Sequence, residues 1–233
     1  LKGDSFFTNI FQEGVQAMDL IFVRHGECHT SSADALLTSK GERQALQVGQ
    51  RLAKIPIAAL LSSPLLRALG TASVIAQQRG NCPVEVWSEL REGFDGSHRC
   101  CGRRELLQRF PLALLPADIE DDGWDYGGDT REAMFERCHL ILDKLQERFK
   151  PNDTVVIVTH GGMLTYLFHV LFQISDLAPV WFRVGHAGIN HIRLLSQDKQ
   201  SAYPPLYPHI ALLVLSINDR SHLSRSLDAS EKQ

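Results

Sequence analysis

Three short apolar runs, each ending in a polar cluster, dominate the hydrophobic pattern of the chain. Leu20 to Val23 runs into Arg24, His25 and Gly26, Ile57 to Leu61 into Ser62, Ser63 and Pro64, and Val155 to Val158 into Thr159, His160, Gly161 and Gly162. Apolar runs this short and this continuous fit strands buried on both faces of a parallel sheet. The segments between them carry helical spacing. Ser39 to Ala53 places Ala45, Val48 and Leu52 on one face, with Ser39 and Glu42 spaced as a capping box. Pro64 stands at the start of a helix reaching about Gln78, where its missing N–H costs least, and Gly80-Asn81 ends it. Asp129 and Glu132 form a second capping box before a helix to Phe149, whose apolar face is Met134, Phe135, Cys138, Ile141, Leu142 and Leu145. Gly162 to Phe172 is an apolar helix. Val84 to Trp87 reads as a short strand and Arg104 to Phe110 as a short helix stopped by Pro111. Trp181 to Val184, Ile189 to Leu195 and His209 to Ile217 read as further strands, the first two of antiparallel type. Strands alternating with helices predict an α/β protein with a mostly parallel sheet.

Ligands of open α/β sheets bind in the crevice beyond the carboxyl ends of the strands. Arg24 and His25 stand at such an end, and an Arg beside a His suggests an anion site holding a nucleophile or proton carrier. Taken alone, the pair also fits an ordinary surface Arg-His at a strand end. Arg67, just after the second run, and His160, just after the third, tip the balance towards a site.

The 233 residues suit one domain, expected over residues 18–219, with a lid around residues 91–128. Within that stretch Leu112 to Gly128 has two prolines and little periodicity, and its Trp124 and Tyr126 are placed to stack on a substrate or to pack. Met18 would make a natural start, so residues 1–17 read as an extension, with Phe6, Phe7, Ile10 and Phe11 as one face of a short surface helix. Residues 220–233 read as a polar, disordered tail. A net charge of −3 and no long basic run make nucleic acid and membrane surfaces poor partners. A small phosphorylated molecule is still allowed, because a local Arg cluster binds anions on a mildly acidic protein. The five cysteines are scattered and do not resemble a disulfide framework. Cys100-Cys101 with His98 has no second Cys/His pair at zinc-finger spacing. No run reaches the ~18 apolar residues of a membrane span, and no signal peptide is visible, so a cytoplasmic location is expected. A homodimer is left open.

RHGE at Arg24 to Glu27, SSPLLRALGTA at Ser62 to Ala72 and VTHGG at Val158 to Gly162, in this order, resemble the histidine phosphatase superfamily, also called phosphoglycerate mutase-like. The resemblance runs from about Met18 to Leu195. It implies a three-layer α/β/α sandwich and hydrolysis of a phosphomonoester without metal or cofactor, through a phosphohistidine on His25. Arg24 and Arg67 would grip the phosphoryl oxygens, since a guanidinium fork matches them and stays charged. Their charge would also keep His25 neutral, as attack requires. His160 would donate to the phosphoryl group, helped by backbone N–H groups of the helix after it. Glu92 would be the general acid. Its surroundings depart from the family, because Phe94 is followed by Asp95 and Gly96 comes one residue late; Asp95 and Glu89 are therefore rivals. Ser31 falls where many members carry an Asn that binds phosphate. Gly188 lies in a turn whose backbone faces the phosphate, and His186, unusual in that turn, is a candidate substrate contact. Glu27 would hold an Arg or a backbone group in place. Two alternatives stay open: a cofactor-dependent phosphoglycerate mutase, whose longer signature after RHGE is absent between Ser31 and Lys40, and a catalytically silent phospho-ligand binding module, against which the retention of both His and both Arg argues.

Overall fold

A computed structural model describes residues 17–195 and 211–228. At the middle of a seven-stranded sheet, β1 (Ala17–Arg24) has β7 (Thr154–Thr159) as its parallel neighbour on one side and β8 (Ile189–Leu195) antiparallel on the other. Beyond β7 follow β2 (Ala59–Ser62), β3 (Val84–Val86) and β5 (Ala113–Leu114), each parallel to its neighbour. Beyond β8 lies β9 (Leu212–Asp219), antiparallel, giving the order β5-β3-β2-β7-β1-β8-β9.

Both faces of β1 and β7 are covered, which is why their sequences are apolar without alternation. Ile21, Val23, Val156 and Val158 pack with residues of α1 (Ser39–Leu52) and α2 (Leu66–Gln77). Leu20, Phe22, Val155 and Ile157 pack on the other side with α4 (Arg131–Arg148) and α5 (Gly161–Leu171). The result is a three-layer α/β/α sandwich with a mostly parallel sheet. No helix among the described residues is long and apolar enough to cross a membrane.

Several local expectations are corrected. The cap of α1 is Thr38, one residue before Ser39: its backbone is extended and its hydroxyl accepts the Gly41 N–H at 3.1 Å. The cap of α4 is Thr130, accepting from Ala133 N–H at 3.2 Å. Asp129, expected there, pairs instead with Arg91 at 3.1 Å and Arg137 at 3.2 Å. Residues 181–184 form no strand. Alternate carbonyls here are taken by side chains instead of a neighbouring strand: Val180 by His169, Phe182 by Thr165 and Val184 by Arg24.

The stretch expected as a lid has regular structure that its composition hides. β4 (Ser97–Cys100) and β6 (Trp124–Gly127) pair antiparallel as a separate ribbon, with α3 (Arg103–Arg109) and β5 between them in sequence. The ribbon's inward residues Cys100, Trp124 and Tyr126 join the core on the α1–α2 side. Residues 220–228, expected to be disordered, fold back on α1. Leu223 and Leu227 are buried, and Gln44 Nε2 donates to the Leu227 carbonyl at 2.9 Å in α6 (Arg225–Asp228). The expected surface helix at Phe6 to Phe11, and His209 at the start of the last strand, lie outside the described residues.

Candidate active site

The register of the two central strands assembles the floor. Arg24 is opposite Thr159, so the next residues, His25 and His160, emerge side by side, with ring centroids 5.0 Å apart. His25 N–H is donated to the Thr159 carbonyl at 3.0 Å, which continues the ladder one residue past β1. Both imidazoles are almost fully buried. His25 Nδ1 lies 2.7 Å from the Gly26 carbonyl. A carbonyl can only accept, so Nδ1 carries the proton and Nε2 keeps its lone pair. His160 Nε2 is 2.7 Å from Ser63 Oγ, which also accepts the Leu65 N–H at 3.2 Å. Ser63 keeps its hydroxyl proton free to donate to Nε2; in that arrangement the His160 proton stands on Nδ1, which has no other hydrogen-bond partner and can donate to an anion.

Gly26 serves close approach rather than an unusual φ. A Cβ there would meet the Gly41 carbonyl oxygen at 2.5 Å, so the turn after β1 lies backbone to backbone against the first turn of α1. Thr71 fixes the same turn by accepting the Gly26 N–H at 3.0 Å.

Both expected arginines reach the site. Arg24 Nη1 donates to the Val184 carbonyl at 2.7 Å and Nη2 to His186 Nε2 at 3.1 Å. Arg67, buried in the first turn of α2, donates to the Ala33 carbonyl at 2.9 Å, and its guanidinium faces the Tyr126 hydroxyl oxygen, which can only accept from it. Burial pushes that phenol up to about 12, against the pull of Arg67. The electrostatics of the histidines follow from the same groups. Burial first, then Arg67 and Arg24, hold His25 well below 6.5. Burial, Arg67, His25 and Arg24 do the same to His160. Both rings are neutral at pH 7, which is the state a nitrogen nucleophile needs.

Of the three rival carboxylates, the fold brings Glu92 to the floor. Its Oε2 accepts the Gly162 N–H at 2.9 Å and its Oε1 the Met163 N–H at 2.8 Å, capping the helix that His160 opens. The N–H of Gly162, expected to bind the substrate anion, is therefore engaged by Glu92. A Cβ on Gly162 would come within 2.6 Å of that carboxylate. Asp95 is exposed, and Glu89 is tied to Lys144 on α4 at 3.2 Å. Glu92 is held through its neighbours too. Asp129 accepts the Phe94 N–H at 3.2 Å while gripping Arg91 and Arg137, so the 91–94 turn is clasped to the start of α4.

Three expected site residues stand elsewhere. Ser31 is exposed on the loop after β1, and no described contact joins it to the histidines. The Gly188 N–H is donated to the Gly185 carbonyl at 2.9 Å, and its carbonyl accepts from Arg24 N–H, so it braces β1 instead of presenting a donor to phosphate. Glu27 holds neither arginine; it pairs with Lys40 at 2.9 Å and accepts from Thr38 at 3.0 Å, anchoring the start of α1. Conversely, the fold adds Ser63, Thr71 and Tyr126 to the surroundings of the histidines and arginines. Ser63 carried a signal, a polar residue directly after an apolar strand like His25 and His160. Tyr126 carried none, because its contact to Arg67 depends on how the ribbon folds over α2.

The family model described as the histidine phosphatase superfamily (branch 1) matches residues 20–202. Phosphoglycerate mutase-like protein 4 of Arabidopsis thaliana is 28% identical over 200 residues, 80% of this chain and 84% of that protein. A phosphoserine phosphatase of Entamoeba histolytica, solved with 3-phosphoglyceric acid, matches with a TM-score of 0.59 at 24% identity, covering 89% of this chain and 100% of that one. A mycobacterial glucosyl-3-phosphoglycerate phosphatase matches with a TM-score of 0.54 at 20% identity, covering 76% of this chain and 90% of that one.

Proposed function

The chain belongs to the histidine phosphatase superfamily, and from that premise we propose that it hydrolyses a small phosphomonoester through a phosphohistidine on His25. One observation carries the reading: His25 is buried beside two arginines and a second histidine, with Nδ1 locked on the Gly26 carbonyl and its Nε2 lone pair exposed to whatever they bind. In the first step Nε2 attacks phosphorus, the bond from phosphorus to the leaving oxygen breaks, and Glu92 gives that oxygen its proton. In the second step water attacks phosphorus, Glu92 takes a proton from it, the P–N bond breaks, and inorganic phosphate leaves with the His25 lone pair restored. Arg24, Arg67 and His160 Nδ1–H stabilise charge on the equatorial oxygens throughout.

Rapid quench with a phosphorus-labelled substrate tests this. The expected result is an acid-labile, base-stable phosphoenzyme that maps to His25. Label on Ser, Asp or Cys overturns the nucleophile. Two arginines supply the positive charge and His160 a hydrogen bond for the transition state, so turnover should persist in EDTA. Full loss there, restored by a divalent ion, counts against the mechanism. The name of the Arabidopsis relative keeps a mutase in view. Interconversion of 2- and 3-phosphoglycerate with little release of inorganic phosphate would favour it over hydrolysis.

A further inference from the structure

We propose that His186 is a positioning residue that holds the Arg24 guanidinium in the orientation in which it grips the phosphoryl group. A guanidinium has no acceptor, so the 3.1 Å contact from Arg24 Nη2 requires a lone pair on His186 Nε2. Nη1 is fixed at the same time by the Val184 carbonyl, two residues earlier in the same segment. One stretch of chain, residues 184–186, thus sets both arms of the fork. The His186 ring also lies beside the nucleophile, its centroid 5.3 Å from that of His25 with the planes tilted by 47°.

The turn that carries His186 is built to hold it there. Ala187 sits at φ 57°, a left-handed conformation that costs a non-glycine residue energy and persists only when its surroundings impose it. Here they do. The Ala187 N–H is shared between the Arg24 and His25 carbonyls at 3.1 Å each, and the Gly188 carbonyl accepts the Arg24 N–H at 3.1 Å. From behind, Asn218 Oδ1 accepts the Gly185 N–H at 2.8 Å. The backbone of Arg24 therefore fixes the turn, and the turn fixes the side chain of Arg24.

The inference rests on the phosphatase reading for what Arg24 grips, so its test is a double-mutant cycle read both in turnover and in orthovanadate binding, which needs no turnover. H186A should lower kcat/KM and weaken orthovanadate binding about 10- to 100-fold, the range for losing a hydrogen bond to a charged group. H186Q, whose amide oxygen can accept the same N–H, should recover most of that loss. On an R24A background H186A should add less than about twofold, because its partner is already gone. Thermal melting of each variant separates a folding defect from a positioning one. Wild-type behaviour of H186A, equal loss in H186Q and H186A, or full additivity with R24A in orthovanadate binding overturns the proposal. A wild type that binds orthovanadate but releases no phosphate would sink the phosphatase reading, and the binding cycle would still decide the role of His186.

Discussion

The floor of the site sits at the carboxyl ends of β1, β2 and β7, where His25, His160 and Ser63 arrive on buried parallel strands and are tied by backbone bonds to the neighbouring strand. The ribbon of β4 and β6 above Arg67 is a lone antiparallel pair. Its outer side is held by ion pairs from Arg99 to Asp122 and Asp125 at 3.3 and 3.1 Å, between side chains that are about half or more exposed. Its inner side packs Phe94 and Trp124 around Tyr126, with ring centroids 5.1 and 6.0 Å away. Buried strands cannot shift without breaking the whole sheet, whereas exposed ion pairs are individually weak. Local opening is therefore less costly along the outer side of the ribbon than at the floor. The groups assigned to bond-making are on the floor, and the ribbon contributes one hydroxyl that steadies an arginine.

Substitutions can break this contrast, beginning with the floor. His25→Asn should take turnover to background and abolish the phosphoenzyme on rapid quench while the fold persists by circular dichroism. Glu92→Gln should cost about 10²- to 10⁴-fold on an alkyl phosphate, whose leaving oxygen needs a proton. It should spare the burst phase on p-nitrophenyl phosphate, which hardly needs one. Asp95→Asn and Glu89→Gln are the controls, and leaving-group dependence in either of them instead would move the acid there. On the ribbon, Tyr126→Phe keeps the packing and removes the hydroxyl from Arg67, so kcat/KM should fall only about tenfold. A loss as large as that of Glu92→Gln would give the ribbon a chemical role.

The two buried histidines also predict how stability depends on pH. Each has its folded pKa below the unfolded value of 6.5. Between those values the unfolded chain binds more protons than the folded one. Stability is thus complete above pH 6.5 and falls as pH drops below it, by up to about 1.4 kcal/mol per pH unit for each group. Urea titrations of wild type and His25→Asn from pH 7 to 5 should show the slope reduced in the variant; an unchanged slope would mean that His25 does not carry it. The smallest effect is expected at the outer edge of the ribbon, where Arg99→Ala should leave both the urea midpoint and kcat unchanged within error.

What could be read from the chain alone was local. A strand buried on both faces must be apolar along its length, so the three runs and the residues directly after them stood out, and with them Arg24, His25, Arg67 and His160. Resemblance to a family added the carboxylate but could not choose it, because the turn around Phe94 departs from the pattern. Tertiary structure separates the three by placing Glu92, and neither of its rivals, against the N–H groups of α5 beside His160. It also decided that β7 lies between β1 and β2, which sets the two imidazoles side by side. The contacts that hold the arginines are non-local as well: Arg24 meets Val184 and His186 across more than 150 positions of chain, and Arg67 meets Tyr126 only because β6 pairs with β4. Ser31 and Gly188 show the converse, since positions inferred from the family resemblance went to solvent or to a backbone bond. Periodicity reports which face of an element is buried; which distant side chain completes a hydrogen bond depends on how the elements pack, and no local pattern encodes that.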